Sequence, residues 1–169
     1  MTPKINYPKN PIGTKNLYIK KMSINLISDN YLNWINVKQS FIVNSDEHYS
    51  IESLKKFVVS KLNKKNVLFF AIFNKQNKHI GNIKFEPISI GEMAVMGILI
   101  GDVPHQGKKL SNEIMNATFT YLKINYNIKK IILGVSLKNF NALKAFKKFG
   151  FKFKKYSRNR TAIIMDYKL

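Results

Sequence analysis

The sequence predicts an α+β domain, a mostly antiparallel but mixed sheet of about seven strands with four helices. Three observations predict it. Segments with alternating or β-branched apolar residues are interspersed with segments of helical spacing, in the order β-α-α-β-β-β-α-β-α-β-β. Three strand-like segments run in succession with only the turns 74–78 and 89–91 between them, which makes an antiparallel meander. One helix then joins two strands in a single β-α-β crossover. The 169 residues suit one domain, 1–169, with residues 1–16 as an extended N-terminal segment.

Each element has its own local reason. "MTPKINYPKNPIGTKN" is polar, rich in Pro and Lys, and lacks the apolar stretch of a signal peptide. "NLYIKKMS" (16–23) is the first strand. "SDNYLNWI" follows as a helix with Ser28 or Asp29 as N-cap and Tyr31, Leu32, Trp34 and Ile35 as its apolar side. Ser50 caps the next helix, where Ile51, Leu54, Phe57, Val58 and Leu62 recur at helical spacing. The meander comprises 67–73, 79–88 and 92–100. Leu110, Ile114, Ala117 and Tyr121 form the stripe of a third helix, and "KIILGVSL" (130–137) is an apolar strand. Asn139 caps a fourth helix whose Ala142, Phe146 and Phe149 form an i, i+4, i+7 stripe, the spacing of a core face. Strands at 151–156 and 161–167 close the chain.

Composition narrows the function classes. Hydrophobic residues make up 45% and aromatics 12%, enough for a sizeable core. The absence of cysteine excludes disulfides and thiolate metal sites, and three unclustered histidines point away from zinc, so no metal is expected. The longest apolar run, "VLFFAIF", is far too short for a membrane span. A soluble, cytoplasmic setting is the expectation. The net charge of +20 suits an anionic partner: nucleic acid, a membrane surface or a phosphorylated ligand. The bland alternative is a composition biased toward Lys, Asn and Ile, because the lysines are scattered and no long run of like charge occurs.

The junction "GILIGDVPHQGKKLSNEIM" is the most informative stretch. A strand runs through a short loop, with Gly107, Lys108, Lys109 and Ser111, into a helix. Backbone N–H groups at a helix start beside positive side chains make an anion site, here residues 107–111. A solvated lysine pair explains the same residues equally well. The spacing is neither that of a Walker A loop nor GxGxxG.

This junction and the stretch "KNFNALKAFKKFGFKF" together resemble the GNAT superfamily of N-acetyltransferases. The branch is that of the ribosomal-protein N-terminal acetyltransferases and bacterial amino-sugar acetyltransferases, and the resemblance covers about Leu17 to Lys168. The family's cofactor loop reads Gln/Arg-x-x-Gly-x-Gly/Ala; here it is Gln106-Gly107-Lys108-Lys109-Leu110-Ser111. Gln106 matches, while Lys109 and Ser111 depart. The family's second element reads Asn-x-x-Ala-x-x-x-Tyr-x-Lys-x-Gly-Phe. Asn139, Ala142, Lys148, Gly150 and Phe151 match it, and Phe146 replaces the tyrosine. "IGNI" and "GILIG" add support.

The resemblance implies splayed central strands that bind acetyl-CoA as acyl donor. The backbone of Ile98, Leu99 and Ile100 would pair with the pantetheine arm, Asn139 would contact it, and Ala142, Phe146 and Lys148 would border the cofactor. If Lys109 has φ > 0, lysine there costs about 1 kcal/mol or more. The family's tyrosine commonly protonates the departing sulfur, and Phe146 has no proton to give. Water, the departing ammonium, Ser136 or Tyr121 would have to serve. The family's basic glutamate aligns with Val95; Glu86, Glu92, Asp102 and His105 flank that strand, and Glu92 and His105 are the foremost candidates for base. Tyr31 and Trp34 fall where such enzymes wall the acceptor pocket, or are ordinary core.

A site short of a base suits an amine of low pKa, such as an amino sugar or a protein N-terminus. The expected function is acetyl transfer to a small, anionic amine, a nucleotide-linked amino sugar of surface-polysaccharide biosynthesis. The alternatives are N-terminal acetylation of ribosomal proteins and, from another class, a basic nucleic-acid-binding module. Nucleic acid is not the expected partner, and a monomer or homodimer is the expected state.

Overall fold

The computed structural model of the chain describes residues 5–38 and 48–169. Its strands are β1 (Ile12–Gly13), β2 (Leu17–Lys21), β3 (Leu68–Asn74), β4 (His79–Ser89), β5 (Met93–Ile100), β6 (Lys130–Ser136), β7 (Lys152–Tyr156) and β8 (Ala162–Lys168). The helices are α1 (Asp29–Lys38), α2 (Ile51–Leu62), α3 (Leu110–Tyr126) and α4 (Phe140–Phe149), with one-turn 3-10 segments at Ile24–Leu26 and Val103–His105. The sheet order is β1-β2-β3-β4-β5-β6-β8-β7. All neighbours are antiparallel except β5 and β6, which α3 joins as the expected crossover. The described sheet has eight strands rather than about seven. The addition is β1, where Ile12 and Gly13 fold back on Ile19 and Tyr18; two residues are too few to show a period.

Period-2 alternation gives the sheet two buried faces. Along β3, Leu68, Phe70 and Ile72 join one core with α3, while Phe69, Ala71 and Phe73 join a second core under α1 and α2. Complete burial of a side chain such as Phe70 contributes about 1.5–3 kcal/mol. Capping sets the helix starts. Ser28 Oγ accepts from the Tyr31 N–H at 3.2 Å. At α2, Ser50 and Ser53 satisfy each other's backbone N–H groups reciprocally. The N-terminal stretch is tied down by Thr14 and Asn16 on Glu113 of α3, and by the Tyr126 hydroxyl on the Asn6 carbonyl.

Candidate active site

The site begins where two central strands part. β5 pairs with β6 only at Met93, Ala94 and Val95, opposite Lys130, Ile131 and Ile132. Beyond that, β5 stays on β4 as far as Ile100 and β6 stays on β8 as far as Ser136. Each strand is held by its outer neighbour, so residues 96–100 face the splay with no strand paired on their β6 side. Close approach fixes the β4–β5 side: a Cβ on Gly81 would lie 2.2 Å from the Leu99 carbonyl oxygen.

A cavity of about 510 Å³ crosses the splay. One wall is formed by Gly97, Ile98 and Leu99 of β5 with Gly134 and Val135 of β6, and α4 closes it with Asn139, Ala142 and Phe146. The other end lies under α1 and α2, against Tyr31, Ile35, Leu54 and Phe57. The polar side chains in this mostly apolar lining are Tyr31, Tyr49, Asn82, Lys84 and Asn139. Among the described residues no carboxylate lines it. Asn82 Nδ2 donates to the Tyr31 hydroxyl at 2.9 Å, and burial pushes the Tyr31 phenol well above its usual range, so it stays protonated.

The cofactor loop follows from the open end of β5. Gln106 Nε2 donates to the Ile100 carbonyl at 2.9 Å, so that carbonyl is already engaged. Gly107 has φ 71° and Lys109 has φ 59°. Lys109 therefore sits in the left-handed region as N-cap of α3, and Leu110 and Ser111 open the helix. Lys108 and Lys109 are exposed. Asn139 Oδ1 caps α4 by accepting from the Ala142 N–H at 3.2 Å, and Lys148 is exposed on that helix. A parted strand pair, a glycine turn and a helix start beside two lysines fit a pantetheine arm and pyrophosphate in size and charge.

Of the sequence-derived candidates, the structure brings Ile98, Leu99, Asn139, Ala142, Phe146 and Tyr31 around one cavity. Trp34 lies outside it. Its ring stacks edgewise on His79 and so close to Gly101 that a Cβ there would meet it at 2.0 Å. Glu92 is exposed in the turn before β5, at the closed end of the strand pair. His105 is held by Asp102 at Nδ1, while Asn74 Nδ2 lies 3.4 Å from Nε2. Burial works against the Asp102 carboxylate, yet Lys78 and His105 hold its pKa below the usual range. Tyr121 donates to the Asn6 carbonyl, and Ser136 Oγ accepts from the Lys138 N–H; neither lines the cavity. Glu86 is clamped by three lysines.

Sequence reasoning missed Asn82 and Lys84. Their signal was available: two polar residues at i and i+2 of an otherwise apolar strand, "IGNIKF", must share one face. Among the described residues no group of His, Asp and Glu gathers to hold a metal, and no helix is long and apolar enough to cross a membrane.

The match to a family model places this fold in an acyl-transferring class. The chain belongs to the acetyltransferase (GNAT) domain family, whose model matches residues 26–164, and is an N-acetyltransferase. Its fold is similar to that of the spermidine N-acetyltransferase of Vibrio cholerae, solved with CoA and spermine, at 20% identity over 90% of this chain and 95% of that one, TM-score 0.75. It is also similar to the Salmonella typhimurium acetyl transferase that modifies the N-terminal serine of ribosomal protein L7/L12, at 14% identity over 94% and 98%, TM-score 0.79. A domain from Methanocaldococcus jannaschii is 21% identical over 93% and 100%, TM-score 0.75. No curated protein matches the chain.

Proposed function

We propose that the protein transfers acetyl from acetyl-CoA to the primary amine of a small molecule, best fitted by a nucleotide-linked amino sugar of surface-polysaccharide biosynthesis. The observation that carries this reading is the cavity. It runs from the splay of β5 and β6 to residues of α1 and α2, and its volume of about 510 Å³ leaves room for a small acceptor beside a pantetheine arm. In this reading the backbone of Ile98 and Leu99 holds the arm, residues Gln106, Gly107, Lys108, Lys109, Leu110 and Ser111 take the pyrophosphate, and Asn139, Ala142, Phe146 and Lys148 border the cofactor.

Acetyl transfer needs a neutral amine, a polarised thioester carbonyl and a proton for the departing thiolate. Backbone N–H groups at the splay supply the polarisation. No described carboxylate in the lining takes a proton from the amine, which favours an acceptor already part-neutral at pH 7. An α-amine titrates near 7.7–8.0, about 2.5 units below lysine. Water or the ammonium proton itself protonates the sulfur, since Phe146 stands where the family's tyrosine would. The same preference is met by protein N-termini, so N-terminal acetylation of ribosomal proteins is the second reading.

Acetyl-CoA, the protein and a panel of UDP- and dTDP-linked amino sugars, followed with a thiol reagent, test the proposal. Thiol release with at least one sugar is expected. Release with N-terminal ribosomal peptides and none with the sugars would replace it by the second reading.

A further inference from the structure

We infer that Lys84, backed by Lys61 and Lys64, forms an anion subsite in the acceptor end of the cavity, so that the acceptor amine carries a phosphate or carboxylate of its own. This rests on the proposed transfer to a small amine and narrows its substrate class. The placement follows from strand alternation. On β4, Ile83 and Phe85 enter the core shared with α3, so Asn82 and Lys84 face the cavity. Lys84 pairs in register with Gly97, within the parted part of β5, and Gly97 offers no side chain to screen it. The anion would thus be bound close to the reacting amine.

Charge supplies the second reason. Glu86 accepts from Lys84 at 2.9 Å, Lys64 at 2.7 Å and Lys61 at 2.7 Å. Among the described residues, three ammonium groups against one carboxylate leave the cluster a net charge of +2. Lys84, Lys61 and Glu86 are largely withdrawn from solvent, their side chains 26%, 17% and 14% exposed, while Lys64 at 50% forms the outer edge of the cluster. The ammonium groups of Lys61 and Lys84 also lie 5.2 and 5.3 Å from the ring centroid of Phe57, which lines the cavity. Burial lowers the Lys84 pKa from its ordinary value; Glu86 works against this, and repulsion from Lys61 and Lys64 adds to it. A polycationic acceptor would bring like charge against Lys84, whereas an anion would complete the cluster.

The test uses the full chain saturated with CoA, which fills the pyrophosphate loop, and three matched probes: a neutral hexosamine, a hexosamine 6-phosphate and a hexosaminuronic acid. The anionic probes should raise the melting temperature and the neutral one should not. A shift from the phosphate alone assigns a phosphate site; shifts from both anionic probes assign a general anion site. Lys84→Gln should weaken binding of the anionic probes about tenfold, the scale of one charge-assisted contact, while Lys84→Arg retains it. In turnover, Lys84→Gln should raise KM for the anionic acceptor with less than a twofold change in KM for acetyl-CoA. Equal shifts from neutral and anionic probes, no shift from any anionic probe, or Lys84→Gln binding within twofold of wild type would each overturn the subsite. Binding of the anionic probes with no thiol release when acetyl-CoA replaces CoA would instead sink the proposed transfer to a small sugar amine and leave the subsite standing.

Discussion

Phe146 lines the cavity on α4 and makes an edge-on contact with Phe151, ring centroids 5.6 Å apart. A tyrosine there would aim its hydroxyl from the same helix face. If water protonates the sulfur adequately, Phe146→Tyr should keep kcat within tenfold of wild type. A rise above tenfold would show that proton supply limits turnover, since a positioned general acid contributes about 10²–10⁴-fold. Lys109 raises a different residue-scale question. Its φ of 59° costs a non-glycine residue about 1–2 kcal/mol, and glycine's extra freedom when unfolded costs about 0.5–1 kcal/mol. Lys109→Gly should therefore stabilise the fold slightly, raising Tm by about 1–4 °C in thermal denaturation. A lower Tm would mean that the lysine side chain makes a compensating contact. The loop pattern made this strain legible, because the family's glycine marks a backbone position. Lys84 was less legible, because a lone lysine in a strand ordinarily reads as solvated until its face is known.

At the scale of elements, the joint between α2 and β4 is electrostatic as well as apolar. Leu54 and Val58 of α2 are buried against the sheet, and Lys61 at its last turn reaches Glu86 on β4. Burial alone would raise the Glu86 pKa, but Lys61, Lys64 and Lys84 hold it at about 2, below its ordinary 4.5. A depressed carboxyl pKa contributes stability that is complete above the unfolded value and is lost as pH falls through the folded one. Stability should thus drop between pH 4.5 and about 2, and Glu86→Gln should flatten that part of the curve in urea unfolding. At neutral pH the same substitution should cost about 1–3 kcal/mol, three partly exposed pairs at their usual worth. A variant with the wild-type acid profile would locate the linkage elsewhere. The helices and the meander were readable because their periods and caps are local. The splay was not, since pairing between β5 and β6 depends on residues 37 apart in sequence, such as Met93 and Lys130, bridged by α3; only the family resemblance announced it. The one-turn segment Val103–His105 left no period to read.

For the whole molecule, 29 basic residues against 9 acidic ones set the dominant long-range force. The structure shows the charge to be neither wholly patterned nor wholly idle: Lys108 and Lys109 flank a helix start, Lys61, Lys64 and Lys84 converge on one carboxylate, and other lysines lie over aromatic rings, as Lys75 over Tyr18 at 3.8 Å. Composition alone could not divide these groups, because scattered lysines in sequence become neighbours only after folding. Two opposite responses to salt follow. Self-repulsion of a net charge of +20 destabilises the compact state, and its reach falls from about 30 Å at 0.01 M salt to about 8 Å at 0.15 M. Sodium chloride, which avoids the strong exclusion effect of sulfate, should therefore raise Tm of the free protein across that range. In the proposed binding mode, where the exposed Lys108 and Lys109 attract an anionic carrier through solvent, the same screening should raise KM for acetyl-CoA. If Tm falls with salt, local ion pairs such as the Glu86 cluster outweigh the global repulsion. If KM stays flat, the loop lysines are solvated bystanders and the backbone N–H groups at the start of α3 hold the pyrophosphate without them.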